Sequence, residues 1–172
     1  MVRGGYRGCD LVLGQGALVM VSDELIKQLK FEEGLRLHAY FCTAGKKTIG
    51  YGHNLEARPT LEGNKIPDTI SENIADVLLH LDVTDTIDLL KRAWLEFDTL
   101  RGARQDACVN IAYQLGVAKF MGFQKMRAHL IKSEWQGAYD EALDSYWSKQ
   151  TPDRAKRVAG QFVSGEYYKV KI

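Results

Sequence analysis

The sequence predicts an α+β protein in which a small antiparallel β-sheet lobe is joined by a long helix to a mainly helical lobe. Two observations lead to this prediction. Apolar residues follow a helical spacing up to Gly34, form short β-favouring runs between residues 35 and 70, and return to a helical spacing from Ser71. The chain has 172 residues, enough for one bilobed domain and too few for two ordinary independent domains.

The first helix is expected to begin directly after Ser22. Serine is a favourable N-cap residue, and two acidic residues follow it in the first turn. Leu25 and Leu29 then lie four residues apart on one helical face. Gly34 is a suitable residue to end this helix.

A hairpin is expected next, from the β-favouring runs Leu35–Phe41 and Lys47–Tyr51 with a turn at residues 43–46. Residues 54–70 contain Pro59 and Gly63 and are expected to form loops with one short strand. The β-containing lobe therefore covers about residues 35–70.

A long interlobe helix is predicted over about residues 71–91, because apolar residues recur there at helical spacing with acidic residues between them. Glycines separate the helical segments that follow. The first helix and about residues 92–172 form the helical lobe. The further helices predicted are Arg104–Leu115, Phe123–Ile131, Trp135–Tyr146 and Pro152–Ser164.

The composition is that of a globular protein, with 45% hydrophobic and 26% charged residues, and disfavours disorder, collagen and coiled coil. A net charge of +1 over the whole chain does not indicate a protein that binds nucleic acid. Residues 66–100 carry 2 basic and 8 acidic groups, whereas residues 101–172 carry 12 basic and 7 acidic groups. The C-terminal part would therefore attract a polyanion, although a solvated helical face explains the same charges.

Residues 1–22 are treated as an N-terminal arm of unknown role, and residues 23–172 as a single domain. The apolar run Leu11–Val21 is too short to span a bilayer, which takes about 20 residues in a helix. Our default expectation is a buried or disordered arm without membrane association. A weak membrane anchor, an export signal and a natural start at Met20 are the alternatives.

The three cysteines, Cys9, Cys42 and Cys108, are odd in number and have no CxxC spacing. Neither a disulfide framework nor a zinc site is therefore indicated, and synthesis in a reducing compartment fits best. A disulfide between Cys9 and Cys42 remains an alternative for regulation.

Glu33 is the most informative carboxylate because it falls in the last turn of the first helix, beside Gly34. The negative end of the helix dipole and partial burial both disfavour its ionised form. A carboxylic acid that stays protonated near neutral pH is what general acid catalysis requires. By itself, however, a glutamate at a helix end is usually a solvated surface group.

Two separated segments of the sequence strengthen the interpretation of Glu33 as a catalytic residue. The first runs from Glu33 through Cys42 to the GKKTIGYGH sequence that ends at His53, and the second is SYWSKQTPDRAKRV over residues 145–158, preceded by QLG at 114–116. Together they resemble the phage-type lysozymes (endolysins) of glycoside hydrolase family 24, the T-even type in particular. The resemblance covers about residues 23–172 and implies the bilobed lysozyme-like fold.

In this family a glutamate, an aspartate nine positions later and a threonine six positions beyond it form the catalytic triad. The matching residues are Glu33, Cys42 and Thr48. The resemblance implies that Glu33 protonates the glycosidic oxygen between N-acetylmuramic acid and N-acetylglucosamine, and that Thr48 helps to hold the attacking water. No cofactor or metal is implied.

Cys42 is a departure, since aspartate is the commonest family residue at this position. Inverting glycosidases use the second carboxylate as a base, whereas retaining ones use it as the nucleophile. A thiol could serve either role only as a thiolate, and the nearby Lys46 and Lys47 are candidates to lower its pKa. We expect activity, and the alternative is a degenerate lysozyme-like protein without turnover.

The resemblance also assigns residues to the substrate cleft and its support. Gln114, Trp147, Gln150 and Thr151 match positions that line or support the cleft, and Arg154 matches an arginine that faces the catalytic glutamate. Each cleft residue has a plainer explanation. Gln114 could join two helices, Trp147 could be a core aromatic, and Gln150 and Thr151 could form the turn and N-cap before Pro152.

His53 matches a structural histidine of the family that pairs with an acid on the interlobe helix, here Asp82. A lone histidine after a glycine-rich strand has no further ligands at metal spacing, so a metal site is rejected. Gly50 and Gly52 lack the rest of a phosphate loop and the βαβ context, so a nucleotide site is rejected as well.

The resemblance therefore implies a monomeric endolysin that cleaves the β-1,4 bond of bacterial peptidoglycan. It would be made in the host cytoplasm and reach the periplasm at lysis, with help from a holin-type protein. The alternative is an inactive lysozyme-like module that binds wall glycan or a phage structural protein.

Overall fold

The computed structural model describes residues 21–170, which form eight α-helices, one 3₁₀ helix and five short strands. The α+β fold class is confirmed, with small antiparallel sheets and a mostly helical body. Residues 1–20, which contain Cys9 and most of the N-terminal arm, lie outside the described residues, as do residues 171–172.

The first helix, α1 (Asp23–Glu33), begins and ends where its local sequence predicts. The Ser22 side chain accepts a hydrogen bond from the backbone N–H of Leu25 at 3.1 Å. At the other end, the N–H of Gly34 donates to the carbonyl of Lys30 at 3.1 Å, and Gly34 has a φ of 67°. That left-handed φ suits glycine and turns the chain directly into the sheet.

The predicted hairpin is confirmed as β1 (Arg36–Phe41) and β2 (Lys47–Gly50), with β3 (His53–Asn54) as the third strand of an antiparallel sheet in the order β1-β2-β3. Tyr40 pairs with Thr48, and Ile49 pairs with His53. Ile49 and His53 are both buried, so the face of the sheet that carries them packs against the rest of the protein.

A second hairpin, β4 (Thr60–Leu61) and β5 (Asn64–Lys65), replaces the single short strand expected between residues 54 and 70. Its two turn residues, Glu62 and Gly63, have φ values of 50° and 80°. Positive φ at both central residues is the geometry that two-residue hairpin turns favour. Glutamate is not a typical residue at that place, which is why the pattern did not reveal this hairpin.

The interlobe helix α2 (Glu72–Ala93) has 22 residues, with Ser71 as its N-cap. At 1.5 Å per residue it is about 33 Å long and reaches from the sheet to the helical body. One of its faces is buried along its whole length: Ala75, Leu78, Leu79, Val83, Ile87 and Leu90.

The helical body consists of a 3₁₀ helix (Leu95–Thr99), α3 (Gly102–Leu115), α4 (Val117–Met121), α5 (Gln124–Ile131), α6 (Trp135–Leu143), α7 (Tyr146–Gln150) and α8 (Pro152–Ser164). The prediction of one helix over Trp135–Tyr146 is wrong, because that helix ends at Leu143. Ser145 then caps α7 by accepting a hydrogen bond from the N–H of Ser148 at 3.2 Å. The 3₁₀ helix and α4 were not predicted.

Helix α3 runs through the centre of the helical body, and eight of its fourteen residues are buried. The core continues from it to Trp94, Phe97 and Phe120, whose rings lie 5.9–6.2 Å from one another in two tilted pairs. Over residues 21–170, none of the helices has both the length and the apolar character that a membrane span requires.

Candidate active site

Glu33, the last residue of α1, is held by an arginine from α8. Its Oε1 accepts a hydrogen bond from Nη1 of Arg154 at 2.6 Å. The Glu33 side chain is 20% exposed and that of Arg154 is 6% exposed, so the ion pair is largely buried and only the glutamate side reaches solvent. The contact that the resemblance implied between these two residues is present.

Arg154 is itself fixed from the opposite side by α3. Its Nε and Nη2 donate to Oδ1 of the buried Asn110 at 3.1 and 2.8 Å. Three helices, α1, α3 and α8, therefore determine the position of the Glu33 carboxylate. A charged hydrogen bond of this kind is shorter and stronger than a neutral one, so the carboxylate has one preferred orientation.

The turn between β2 and β3 lies against the free oxygen of Glu33. A Cβ atom built on Gly52 would lie 3.8 Å from Oε2 of Glu33 and within 4 Å of no other atom. Gly50 and Gly52 have φ values of 65° and 96°, which favour glycine, and Gly50 packs against Ala75 of α2. The turn thus brings exposed backbone to the side of the carboxyl group that Arg154 leaves open.

Cys42 lies at the end of β1, in the turn that leads to β2. Its N–H donates to the carbonyl of Lys46 at 3.0 Å, and its carbonyl accepts from the N–H of Gly45 at 2.8 Å. The side chain is partly exposed. Hydrogen bonding by the backbone N–H of Lys46, followed by that of Ala44, lowers the pKa of the Cys42 thiol, and burial opposes this effect.

This cause differs from the lysine charges that the sequence suggested. Nζ of Lys47 lies 2.7 Å from Asp68 and is engaged in an ion pair there. Lys46 acts through its backbone amide, which any residue could supply. The direction of the shift agrees with the prediction, and the turn geometry is its source.

Thr48 lies on β2, as predicted, and is only 4% exposed. Its hydroxyl donates to the carbonyl of Lys46 at 2.9 Å, which leaves its oxygen lone pairs as acceptors. The same lysine supplies the backbone N–H that contributes most to lowering the pKa of the Cys42 thiol. Cys42 and Thr48 therefore form one local unit on the sheet.

Two tyrosines that the sequence analysis did not single out belong to this region. Burial raises the pKa of Tyr40, the Arg36 charge opposes that effect, and the negative charges of Cys42 and Glu33 add to it. Tyr40 therefore lies near both halves of the predicted catalytic pair, and the Arg36 guanidinium stacks on its ring at 4.2 Å. The second is Tyr113 of α3, whose hydroxyl donates to the carbonyl of Tyr51 at 2.8 Å.

Gln114 and Trp147 are in direct contact, since Nε1 of Trp147 donates to Oε1 of Gln114 at 2.7 Å. Trp147 is 2% exposed, as a core aromatic would be, whereas Gln114 is partly exposed. Trp147 can therefore orient Gln114, but little of its own surface is open to a ligand.

Gln150 and Thr151 lie at the junction of α7 and α8. Gln150 is exposed. The Thr151 hydroxyl donates to the carbonyl of Trp147 at 3.2 Å and does not cap α8, although Pro152 occupies the first turn of that helix as expected. The structure does not bring either side chain into contact with Glu33, Cys42 or Thr48.

His53 and Asp82 form the contact that was predicted between the sheet and α2. Nδ1 of His53 lies 2.8 Å from Oδ2 of Asp82, and Nε2 lies 2.9 Å from the carbonyl of Arg58. Burial disfavours protonation of this 2% exposed histidine, but the hydrogen bond and charge of Asp82 outweigh it and raise the pKa of His53. Both ring nitrogens face acceptors, an arrangement that only the imidazolium satisfies fully.

No group of three or more histidine, cysteine or acidic side chains within residues 21–170 has the arrangement of a metal site. A cavity of about 590 Å³ lies on the helical body, with Phe123 and Met126 among its apolar lining and Lys125 and Glu141 among its charged lining. Phe123 also packs edge-on against Trp147, with ring centroids 6.4 Å apart. Phe123 therefore lies between the cavity and Trp147, the residue that donates a hydrogen bond to Gln114.

Comparison with known proteins gives a consistent result. The family model described as phage lysozyme matches residues 30–163. A probable T4-type lysozyme of Dictyostelium discoideum is 30% identical over 165 residues, which is 85% of this chain and 96% of the relative. An endolysin of Salmonella phage P22 is 30% identical over 143 residues, covering 79% of this chain and 88% of the relative.

A third relative is much longer than this chain. The pre-baseplate central spike protein Gp5 of Enterobacteria phage T4 is 29% identical over 168 residues, which is 86% of this chain but only 29% of the spike protein. The similarity therefore concerns one part of that larger protein.

Proposed function

Because this chain belongs to the phage lysozyme family, we propose that it is an endolysin that hydrolyses the β-1,4 bond between N-acetylmuramic acid and N-acetylglucosamine in bacterial peptidoglycan. The observation that carries the proposal is the placement of Glu33. Its carboxyl group ends a helix, is oriented by a buried arginine, and presents its second oxygen to an open turn of the sheet.

In the proposed reaction Glu33 is the general acid. Arg154 engages Oε1, so Oε2 is the oxygen from which a proton would pass to the glycosidic oxygen as the bond breaks. Gly52 leaves space on that side, which allows the sugar to approach. The absence of a side chain at this position thus serves the chemistry as well as the turn.

Cys42 and Thr48 are proposed to act on the opposite side of the sugar. As a thiolate, Cys42 either takes a proton from the attacking water or attacks the anomeric carbon itself. The first route needs a wider separation from Glu33, to leave room for the water, and in the second a water later hydrolyses the covalent glycosyl-enzyme. The Thr48 hydroxyl already donates to the Lys46 carbonyl, so it can accept a hydrogen bond from the water. A water held between the sulfur and this oxygen directs a lone pair toward the sugar.

The substrate cleft is proposed to continue along the helical body. Gln114, fixed by Trp147, and the exposed Gln150 would contact the glycan, while Thr151 would keep the α7–α8 junction in place. The positive charge of residues 101–172 would favour approach to an anionic wall. Synthesis in the host cytoplasm, release to the periplasm by a holin-type protein and a monomeric state are part of the same proposal.

The test is digestion of defined peptidoglycan by the purified full-length chain. After borohydride reduction, mass analysis of the products should show muramic acid at the new reducing ends, which identifies the bond that was cut. Glucosamine at those ends, or linear peptide products without glycan cleavage, would overturn the proposed specificity.

A second candidate function is a lysozyme-like module that binds without turnover. It is favoured by the thiol at position 42, where the family commonly has a carboxylate, and by the similarity to part of a baseplate spike protein. In the same digestion this candidate predicts retention of the chain on insoluble peptidoglycan with no new reducing ends.

A further inference from the structure

The groups proposed to act on the glycan belong to two separate parts of the molecule. Glu33 and Arg154 are on helices, whereas Cys42 and Thr48 are on the sheet. Their relative position therefore depends on how the sheet is attached to the helices. A misplacement of about 1 Å between reacting groups can cost a hundredfold in rate.

One tyrosine makes a direct link between the sheet and the helical body. The hydroxyl of Tyr113, on α3, donates to the backbone carbonyl of Tyr51 at 2.8 Å. Among the described residues, it is the one hydrogen bond found between residues 35–70 and residues 94–170. Other polar links from the sheet lobe, such as that of His53 to Asp82, go to α2.

The carbonyl that Tyr113 binds lies in the turn that faces Glu33. Tyr51 stands between Gly50 and Gly52, and Gly52 is the residue whose backbone approaches Oε2 of Glu33. The Tyr51 side chain is itself buried. A bond to this carbonyl therefore fixes a turn of the sheet that lies beside the acid.

We propose that Tyr113 is a positioning residue, which secures the Gly50–Gly52 turn on α3 and so sets the distance between Glu33 and the Cys42–Thr48 unit. This inference rests on the proposed function, because it assigns Tyr113 a role in that reaction. Neither the sequence pattern nor the resemblance singled out this residue.

The surroundings of Tyr113 favour a hydroxyl that stays protonated and can donate a hydrogen bond. Burial, followed by the negative charges of Asp82 and Glu33, raises its pKa well above the usual value for tyrosine. The hydroxyl therefore stays protonated across the neutral and mildly alkaline range and continues to donate to the Tyr51 carbonyl.

The experiment compares Tyr113→Phe with Tyr139→Phe in the full chain. Both tyrosines are partly buried, and in the described structure the Tyr139 hydroxyl makes no hydrogen bond. Tyr113→Phe keeps the ring and removes only the bond. We expect its kcat on peptidoglycan to fall about three- to tenfold with KM changed less than twofold, since one hydrogen bond is lost and the binding surface is intact. Tyr139→Phe should match the wild type in both constants.

A second measurement is independent of turnover. Hydrogen exchange at the backbone amides of residues 49–53 should become at least threefold faster in Tyr113→Phe and should not change in Tyr139→Phe. If the wild type releases no glycan products, the proposed function fails, and this exchange result still shows whether Tyr113 secures the turn.

Two results would overturn the inference. One is a kcat within twofold of the wild type in Tyr113→Phe, which would make the bond a purely structural link even if exchange becomes faster. The other is an equal loss of kcat in both variants, which would attribute the effect to general loosening of the protein.

Discussion

The two halves of the candidate site are constructed differently. On the helical half, Glu33 is oriented by Arg154, which is fixed in turn by the buried Asn110. On the sheet half, Cys42 is partly exposed, and the main groups that contact its sulfur are backbone amides of a short turn. The first half depends on side chains that are far apart in the sequence, and the second on local backbone geometry.

This difference shows which half tolerates a change of residue. Backbone amides of a turn stabilise an anion at its centre whether that anion is a thiolate or a carboxylate. The carboxyl group on the helical half is held instead by one charged hydrogen bond from the guanidinium of Arg154. We therefore expect the sheet half to accept a cysteine where the family commonly has aspartate, and the helical half to require the carboxyl group of Glu33.

The largest effect is expected from Glu33→Gln, which removes the proton donor and keeps the size of the side chain. Activity on peptidoglycan should fall by about 10²–10⁴, the usual contribution of general acid catalysis. The matched control is Glu32→Gln, since Glu32 also pairs with an arginine, Arg157, at 2.9 Å. The control should retain at least a third of wild-type activity. Equal losses in both variants would mean that the ion pairs of α1, not the acid, support activity.

The next largest effect concerns thiol reactivity. Cys42 is partly exposed with a lowered pKa, whereas Cys108 is fully buried and its surroundings raise its pKa. Iodoacetamide at mildly alkaline pH should therefore alkylate Cys42 at least about a hundredfold faster than Cys108, as peptide mapping can measure. Alkylation of Cys42 should abolish lysis, and glycan fragments should slow it. Fast alkylation with unchanged lysis would remove Cys42 from the mechanism.

Smaller effects are expected from substitutions of Cys42, which separate the need for a reactive group at this position from the geometry of the turn that holds it. Cys42→Ala should lose at least about tenfold in kcat, because nothing then activates the water or attacks the sugar. Cys42→Asp should stay within about tenfold of the wild type, because the same turn amides hold a carboxylate of similar reach. Full activity of Cys42→Ala would leave Glu33 and Thr48 to account for turnover alone.

A stability effect is expected where the sheet joins α2. The raised pKa of His53 means that its stabilising contribution is fully present below its unfolded value near 6.5 and is lost as the pH rises through the folded value. His53→Asn should therefore lower the Tm most near pH 5.5, by about 2–4 °C for each kcal/mol lost. The difference should shrink at alkaline pH. The exposed His38 provides the control, since His38→Asn should leave the Tm within about 1 °C at each pH.

The smallest effect is expected from residues 1–19, which lie outside the described residues and outside the family match. Their deletion should leave kcat/KM on peptidoglycan unchanged within about twofold, because they lie outside the resemblance and contain no matching site residue. Oxidised and reduced full-length protein should also have equal activity. A rise in activity with reductant that Cys9→Ser abolishes would establish instead a disulfide between Cys9 and Cys42.

The local elements were predictable because their signals act within a few residues. Ser22 and Gly34 fix the two ends of α1, and Ser71 fixes the start of α2. The hairpin follows from two β-favouring runs around a short turn. The break after Leu143 was missed because the apolar spacing continues through it, and Ser145 was not recognised as a cap.

The sequence by itself determined the α+β class, the first hairpin, the interlobe helix and, through its motifs, the set of candidate site residues. Only the tertiary structure decided how they work together: which oxygen of Glu33 remains open, and that Tyr113 links the sheet to α3. The reason is physical. Caps and turns are determined by neighbours along the chain, whereas a bond such as that between Tyr113 and Tyr51 joins residues 62 positions apart and exists only when the helices and sheet have packed.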